Sequence, residues 1–261
     1  MKWLAAFTLS LLVGGCNSTG DSDYSQFYRA LRQSIGASFG QGRITKSQAA
    51  AIPYASMGYR LNDGMEQLLV LATDSNDEQL WTSASHVVIA TRGGRIVRTV
   101  GLPTNVSAVT PAVGQAIPLL SASLSGTVSY SRLADLPDNR IYGAALACKL
   151  VYRGRQTIVI LGRGLTTIKI DENCASKALN WTFTDSYWMD VDNRLVWKSI
   201  QHIGPEKGKI ETEILRDASL GGTDNDRGVL RREMELHWIA SIFGVEILDH
   251  FRDYSTLAAV Q

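Results

Sequence analysis

The chain has 261 residues, with 26 Lys+Arg against 25 Asp+Glu, 45% hydrophobic and 20% charged. That composition excludes wholesale disorder, a collagen-like repeat and a polytopic membrane protein, and the length can bury a sizeable core without staples. A formal net charge of +1 removes the electrostatic case for a general nucleic-acid binder.

The N-terminus has the form of an export signal. Lys2 makes a minimal positive region, and the apolar run Trp3 to Val13 follows it. A helix needs about 20 apolar residues to cross a bilayer, so this run is too short and matches a signal h-region instead. Leu12-Val13-Gly14-Gly15-Cys16 then resembles a bacterial lipobox, in which cleavage precedes the cysteine and Cys16 carries the lipid. The other readings are a plain signal peptide with a chance cysteine, or a buried N-terminal helix. On the lipobox reading residues 1–15 are the signal peptide, and the polar, turn-rich residues 16–23 are a tether. Removal of residues 1–15 takes away only Lys2, leaving basic and acidic side chains equal in number. Anchoring then falls to the acyl chains, at about 0.8 kcal/mol for each buried CH₂. Residue 17 is Asn and not Asp. By resemblance to lipoproteins of enteric bacteria, this favours the outer membrane, facing the periplasm.

Tyr24 to Phe39 predicts a short helix, with Phe27, Leu31 and Ile35 on one face. A run of hairpins follows. Tyr54 to Leu61 and Gln67 to Ala72 flank Asn62-Asp63-Gly64, and His86 to Arg92 and Arg95 to Val100 flank Gly93-Gly94, a two-residue hairpin signal. Ser107 to Ser125 is rich in small residues and reads as a surface loop. Leu146 to Tyr152 and Thr157 to Leu161 surround Arg153-Gly154, and Thr166 to Ile170 adds a strand. Trp181 to Met189 and Leu195 to Ile203 flank Asp190 to Arg194, and Lys209 to Leu215 comes last. About ten strands joined by local turns predict an all-β antiparallel meander of consecutive hairpins, closed or nearly closed into a barrel or wrapped sandwich. This β-rich domain spans residues 24–216. Residues 217–261 read as a polar linker and a C-terminal helix, Val229 to Tyr254, that packs on the barrel's surface, plugs its end, or faces a partner or membrane.

Alternation assigns faces. Ile210, Thr212 and Ile214 oppose Lys209, Glu211 and Glu213, while Trp181, Phe183, Asp185, Tyr187 and Met189 lie together. A carboxylate among aromatics needs partners or a raised pKa. The plain reading of Asp185 is a cap on a bend or bulge.

With Cys16 lipidated, Cys148 and Cys174 remain as an even pair that an oxidising periplasm permits to bridge. The loop of about 27 residues makes such a bridge worth roughly 3.5 kcal/mol. The alternative is two buried thiols. No Cys-x-x-Cys motif, hydrolase elbow, His-Glu-x-x-His or phosphate loop is present, and His86, His202, His237 and His250 lack ligand spacing. Asp224-Asn225-Asp226 with Glu235 lacks the glycine of a calcium loop. No catalytic residue, metal or cofactor is expected. Asp171, Glu172, Asp185 and Asp190 keep one alternative open, a periplasmic polysaccharide-modifying hydrolase or lyase built on paired acids.

Four ordered stretches carry a family resemblance. They are Pro53-Tyr54-Ala55-Ser56, then Trp81-Thr82-Ser83-Ala84 followed by Thr91 to Pro103, then Tyr187-Trp188-Met189-Asp190, and Val196 to Gln201. Together with the lipobox they resemble the YjbF/GfcB family of group 4 capsule and exopolysaccharide lipoproteins, over roughly residues 10–216. The resemblance implies a β-rich periplasmic body on the outer membrane and a partner among the outer-membrane polysaccharide secretion proteins. It supplies a process and not a reaction. The expected role is therefore accessory, binding a secretion component, the polysaccharide, or both, with no nucleic acid. Exposed aromatics beside cations suit acidic sugars, so Arg92, Arg98, Trp188, Lys198 and Gln201 are the candidate contacts. Alternation opposes Lys198 to Trp197 and Gln201, so these residues and Trp81 cannot all line one surface.

Overall fold

The computed structural model describes residues 42–205 and 208–218. The signal peptide, Cys16, the tether, the helix expected over 24–39 and the C-terminal helix over 229–254 lie outside the described residues.

Among the described residues a short helix comes first: α1 (Lys46–Ala50), begun by Thr45 and Gln48, whose side chains each bond the other's end of the first turn. Twelve strands follow: β1 (Ser56–Leu61), β2 (Gln67–Ser75), β3 (Glu78–Thr82), β4 (Val88–Arg92), β5 (Arg95–Val100), β6 (Ala108–Pro111), β7 (Val128–Leu136), β8 (Ile141–Ile160), β9 (Arg163–Ser176), β10 (Trp181–Asp190), β11 (Val196–His202) and β12 (Lys209–Arg216). Their order in the single sheet is β5-β4-β3-β2-β1-β12-β11-β10-β9-β8-β7-β6. Every ladder is antiparallel, and two-residue turns join β2 to β3, β4 to β5 and β8 to β9. Gly93 and Gly94 turn β4 into β5 at φ 55° and 83°, and Asn76-Asp77 does the same for β2 and β3 at 53° and 62°.

The first and last strands pair, so the sheet is a ring cut between β5 and β6. These strands are adjacent in sequence and meet again at the cut. The Thr99 N–H donates to the Val106 carbonyl at 2.8 Å, which nearly closes a barrel. The meander is as expected, with corrections in detail. Arg153-Gly154 is no turn: β8 runs through it, with a bulge between Tyr152 and Gly154. The stretch Ser107 to Ser125 is not all loop, since it contains β6 and a 3₁₀ turn, Leu120–Ser125.

The interior is packed with side chains from every part of the ring, among them Tyr59, Leu69, Trp81, Ile89, Leu146 and Tyr187. Outside, Ile44, Ala49 and Ile52 bury Leu68 and Val70 of β2. The α1 segment therefore covers the outer face of β2 and makes that strand apolar on both sides.

Candidate functional site

The inward face of β10 carries the site. Trp181, Phe183, Asp185 and Tyr187 share it, as alternation predicts, and all four are buried. Asp185 does not cap a bulge. It sits in an unbroken ladder opposite Glu172 of β9, and the β10 irregularity falls at Trp188/Met189. Glu172 is fully buried beside Tyr130 of β7, Arg95 of β5 and Arg132 of β7.

Glu172 is the centre of a buried network, in which Arg95 Nη2 and Arg132 Nε find no partner among the described residues. Arg95 Nε donates to its Oε1 at 3.0 Å and the Tyr187 hydroxyl to its Oε2 at 3.0 Å, while the Tyr130 hydroxyl also bonds Oε1. Arg132 places Nη1 3.4 Å from Glu172 Oε2 and Nη2 3.5 Å from Asp185 Oδ2. Asp185 Oδ1 accepts the His202 N–H at 2.8 Å and lies 3.0 Å from His202 Nδ1. Two carboxylates thus bracket one guanidinium. Burial alone would raise both acids. For Glu172 the charges of Arg132 and Arg95 and two tyrosine hydrogen bonds outweigh it, and the pKa is lowered. For Asp185 burial wins over His202 and Arg132, and the pKa is raised. Burial and the neighbouring Glu172 charge push both tyrosines up, so they stay neutral donors.

What this interior can do chemically is limited by space. The cavity beside Arg132, Phe183, Asp185 and His202 has about 20 Å³, room for roughly one water and not for a sugar ring. The other acids are engaged outside: Asp171 with Arg153 at 2.8 Å and Ser186 at 2.8 Å, and Asp190 with the indole of Trp197 at 2.9 Å. Among the described residues no cluster of His, Cys, Asp or Glu is arranged to hold a metal ion. The sulfurs of Cys148 and Cys174 are bonded at 2.04 Å, between directly opposed positions of β8 and β9.

The five candidate contact residues do not form one surface. Gln201 is inside the barrel, where its Oε1 accepts the Ile96 N–H at 2.8 Å and its Nε2 donates to the Gly94 carbonyl at 2.9 Å. Arg92 and Arg98 both grip Glu78, at 3.0 and 2.5 Å. Trp188 is on the outer face, its indole donating to Gln156 at 2.8 Å, with Lys169 and Lys198 5.4 and 5.7 Å from the ring. Trp81 and Trp197 are core.

Lys198 belongs to a second ionic cluster that the sequence analysis missed. On the outer face of β12, Glu211 and Glu213 are buried under Arg43, which reaches them at 2.7 and 2.8 Å. Lys198 bonds the same two carboxylates at 2.7 and 2.8 Å, and Arg60 completes the set on Glu211. Burial opposes the charge of Glu211, but hydrogen bonds from Lys198, Arg60 and Arg43 hold its pKa down at about 2. Glu66 accepts the Ile44 N–H at 2.5 Å, pinning the N-terminal segment, and burial raises its pKa. The alternating Glu-x-Glu of β12 was the only signal, and it read as an ordinary polar face.

Known proteins match this architecture and its sequence. The chain is 24% identical over 220 residues to the uncharacterized lipoprotein GfcB of Escherichia coli strain K12, covering 84% of this chain and 100% of that protein. It is 22% identical over 224 residues to the uncharacterized lipoprotein YjbF of the same strain, covering 84% and 99%. The crystal structure of the hypothetical lipoprotein YmcC from Escherichia coli K12 superposes with a TM-score of 0.57 at 26% identity, covering 67% of this chain and 90% of that one. The model of the YjbF family, described as group 4 capsule polysaccharide lipoprotein GfcB, YjbF, matches residues 31–215. That span holds every strand but the last residue of β12, and the chain belongs to the YjbF family of group 4 capsule polysaccharide lipoproteins.

Proposed function

We propose that the protein is a lipid-anchored accessory protein on the periplasmic side of the outer membrane, serving capsule or exopolysaccharide production by binding a secretion component, the polysaccharide, or both. The observation that carries this reading is the family match over residues 31–215. A supporting one is that the acids which paired-carboxylate chemistry would need are held by structural partners, Glu172 by two arginines and Asp185 by Arg132 and His202. The interior is filled, so recognition falls to the outside of the barrel. There Arg92 and Arg98, on adjacent strands around Glu78, are the better candidates for an acidic polymer. Lys198 neutralises two buried carboxylates, and its removal would confuse binding with stability.

Affinity purification of the lipidated protein from its native envelope, with co-purifying proteins and glycans identified, tests the reading. Enrichment of a polysaccharide secretion protein or of the polymer is expected. Enrichment of neither, relative to an unrelated outer-membrane lipoprotein, would refute it. The anchor is tested separately by Cys16→Ala, which should leave the protein soluble or uncleaved. Unchanged outer-membrane lipidation of that variant would remove Cys16 from the mechanism.

A further inference from the structure

The longest stretch of the chain without a charged residue or histidine runs from Thr99 to Ser131. It carries the exposed side chains of Val113, Leu119 and Leu124. In the fold it supplies β6 and the first half of β7, and β6 is too short to cover its neighbour. The β6–β7 ladder ends at Pro111 opposite Arg132. Just beyond, the Ser131 carbonyl accepts the Ala112 N–H at 3.3 Å, and the Ser131 N–H donates to Gln115 Oε1 at 2.6 Å. Ser131 thus turns both peptide groups away from β8. Strand geometry repeats every second residue, so Ser129 turns its N–H and C=O the same way. Neither has a partner among the described residues. A groove of about 690 Å³ opens there, bounded by Gln115, Pro118, Ser129, Ala147 and Lys149.

Sheet proteins guard an edge of this kind with lysines, proline, an inward charge or a covering loop. From Val128 to Ser131 there is neither charge nor proline, and the covering segment reaches only Ser131. Unpaired peptide groups argue against lipid as the occupant, because hydrocarbon leaves no unsatisfied N–H or C=O unpunished. They call for another strand. The edge residues themselves carry no charge to repel their own copy, Lys149 lying one strand back opposite Ser129, and an antiparallel edge is complementary to itself about a two-fold axis.

We propose that Val128–Tyr130 pairs antiparallel with the same segment of a second copy of this chain, with the two-fold axis at Ser129. Each Ser129 N–H donates to the Ser129 carbonyl of the other copy. Val113 and Leu119, which flank the Gln115–Pro118 wall in sequence, provide apolar surface to bury beside the new ladder. This goes beyond the accessory role proposed above and does not depend on it.

The test uses the full-length lipidated protein in its envelope. Residues that exchange both hydrogen bonds across an antiparallel pair have Cα atoms about 5.5 Å apart, within disulfide range. Ser129→Cys should therefore form, under mild oxidation, a species of twice the monomer mass that reduction abolishes. Thr184→Cys, exposed on the outer face of β10, should stay monomeric. In detergent, Ser129→Lys sets like charges opposite each other and should lower the dimer fraction about tenfold, with Tm within about 2 °C of wild type. A monomeric wild type by light scattering at about 100 µM, with Ser129→Cys no more cross-linked than Thr184→Cys, would overturn the proposal. So would cross-linking of Ser129→Cys to a different protein with no self-linked species.

Discussion

Arg132 stands between Glu172 and Asp185, with one guanidinium nitrogen 3.4 Å from the first carboxylate and the other 3.5 Å from the second. Three strands of the ring, β7, β9 and β10, are tied through these side chains in the barrel interior. Breaking such a set strands whatever charge is left behind.

Glu172→Leu should therefore be costly, about 3–5 kcal/mol, because Arg95 and Arg132 would stay buried without their shared carboxylate. Thermal denaturation should show Tm lowered by roughly 10 °C. Replacing Glu172, Arg95 and Arg132 together with apolar residues should recover much of that loss. A single variant as stable as wild type would mean the network contributes nothing.

The pH dependence follows from the directions of the shifts. Glu172 and Glu211 have folded pKa values below their unfolded ones, so their stabilisation is full above about pH 4.5 and is lost as pH falls through the folded values, for Glu211 about 2. Asp185 is raised, so in the unfolded chain it ionises first, near its ordinary value of 3.8, and it works against folding as pH rises from there toward its folded value. Urea midpoints should fall below pH 4.5, and Glu211→Gln should flatten that fall. Asp185→Asn should steepen it, by removing the opposing group.

Gln201→Leu should loosen the cut edge of β5. Its carboxamide takes the place of a missing strand, bonding the Ile96 N–H at 2.8 Å and the Gly94 carbonyl at 2.9 Å. Leucine leaves both peptide groups unsatisfied, a loss of about 1–3 kcal/mol. Hydrogen exchange at Ile96 should accelerate more than exchange at Ile89, in the interior of β4. Equal protection in the two proteins would contradict the strand-like role.

Removing the disulfide by Cys148→Ala with Cys174→Ala should cost about 2–5 kcal/mol, since the bridge spans a sequence separation of 26. Mass mapping of alkylated periplasmic protein should find both sulfurs unreactive before reduction.

Gly58→Ala should detach the N-terminal segment. A Cβ on Gly58 would stand 2.6 Å from Glu66 Oε1, and Glu66 holds the Ile44 N–H. Overpacking of this kind costs about 1–3 kcal/mol. Limited proteolysis should cut near Arg43 faster in the variant than in wild type.

Much of the architecture was legible along the chain because strand alternation and two-residue turns are local properties. Period two put Trp181, Phe183, Asp185 and Tyr187 on one buried face, and Gly93-Gly94 marked a hairpin by its backbone freedom. Leu146 to Leu161 was misread for the same reason, since Arg153-Gly154 has the local chemistry of a turn as well as of a bulge. The short β6 lacks enough residues to show a period.

Which residues alternate, where the chain turns and which family it resembles are written along the chain. The partners of those residues are settled only when the sheet closes. Arg132 and Asp185 are 53 residues apart, and Arg43 and Glu211 168 apart. Alternation could not tell the face of Glu211 and Glu213 from solvent, because what covers it arrives from the other end of the chain. Burial and charge pairing are set by which strands become neighbours when the ring closes, and that depends on the whole sheet order, with β1 beside β12, rather than on any one strand.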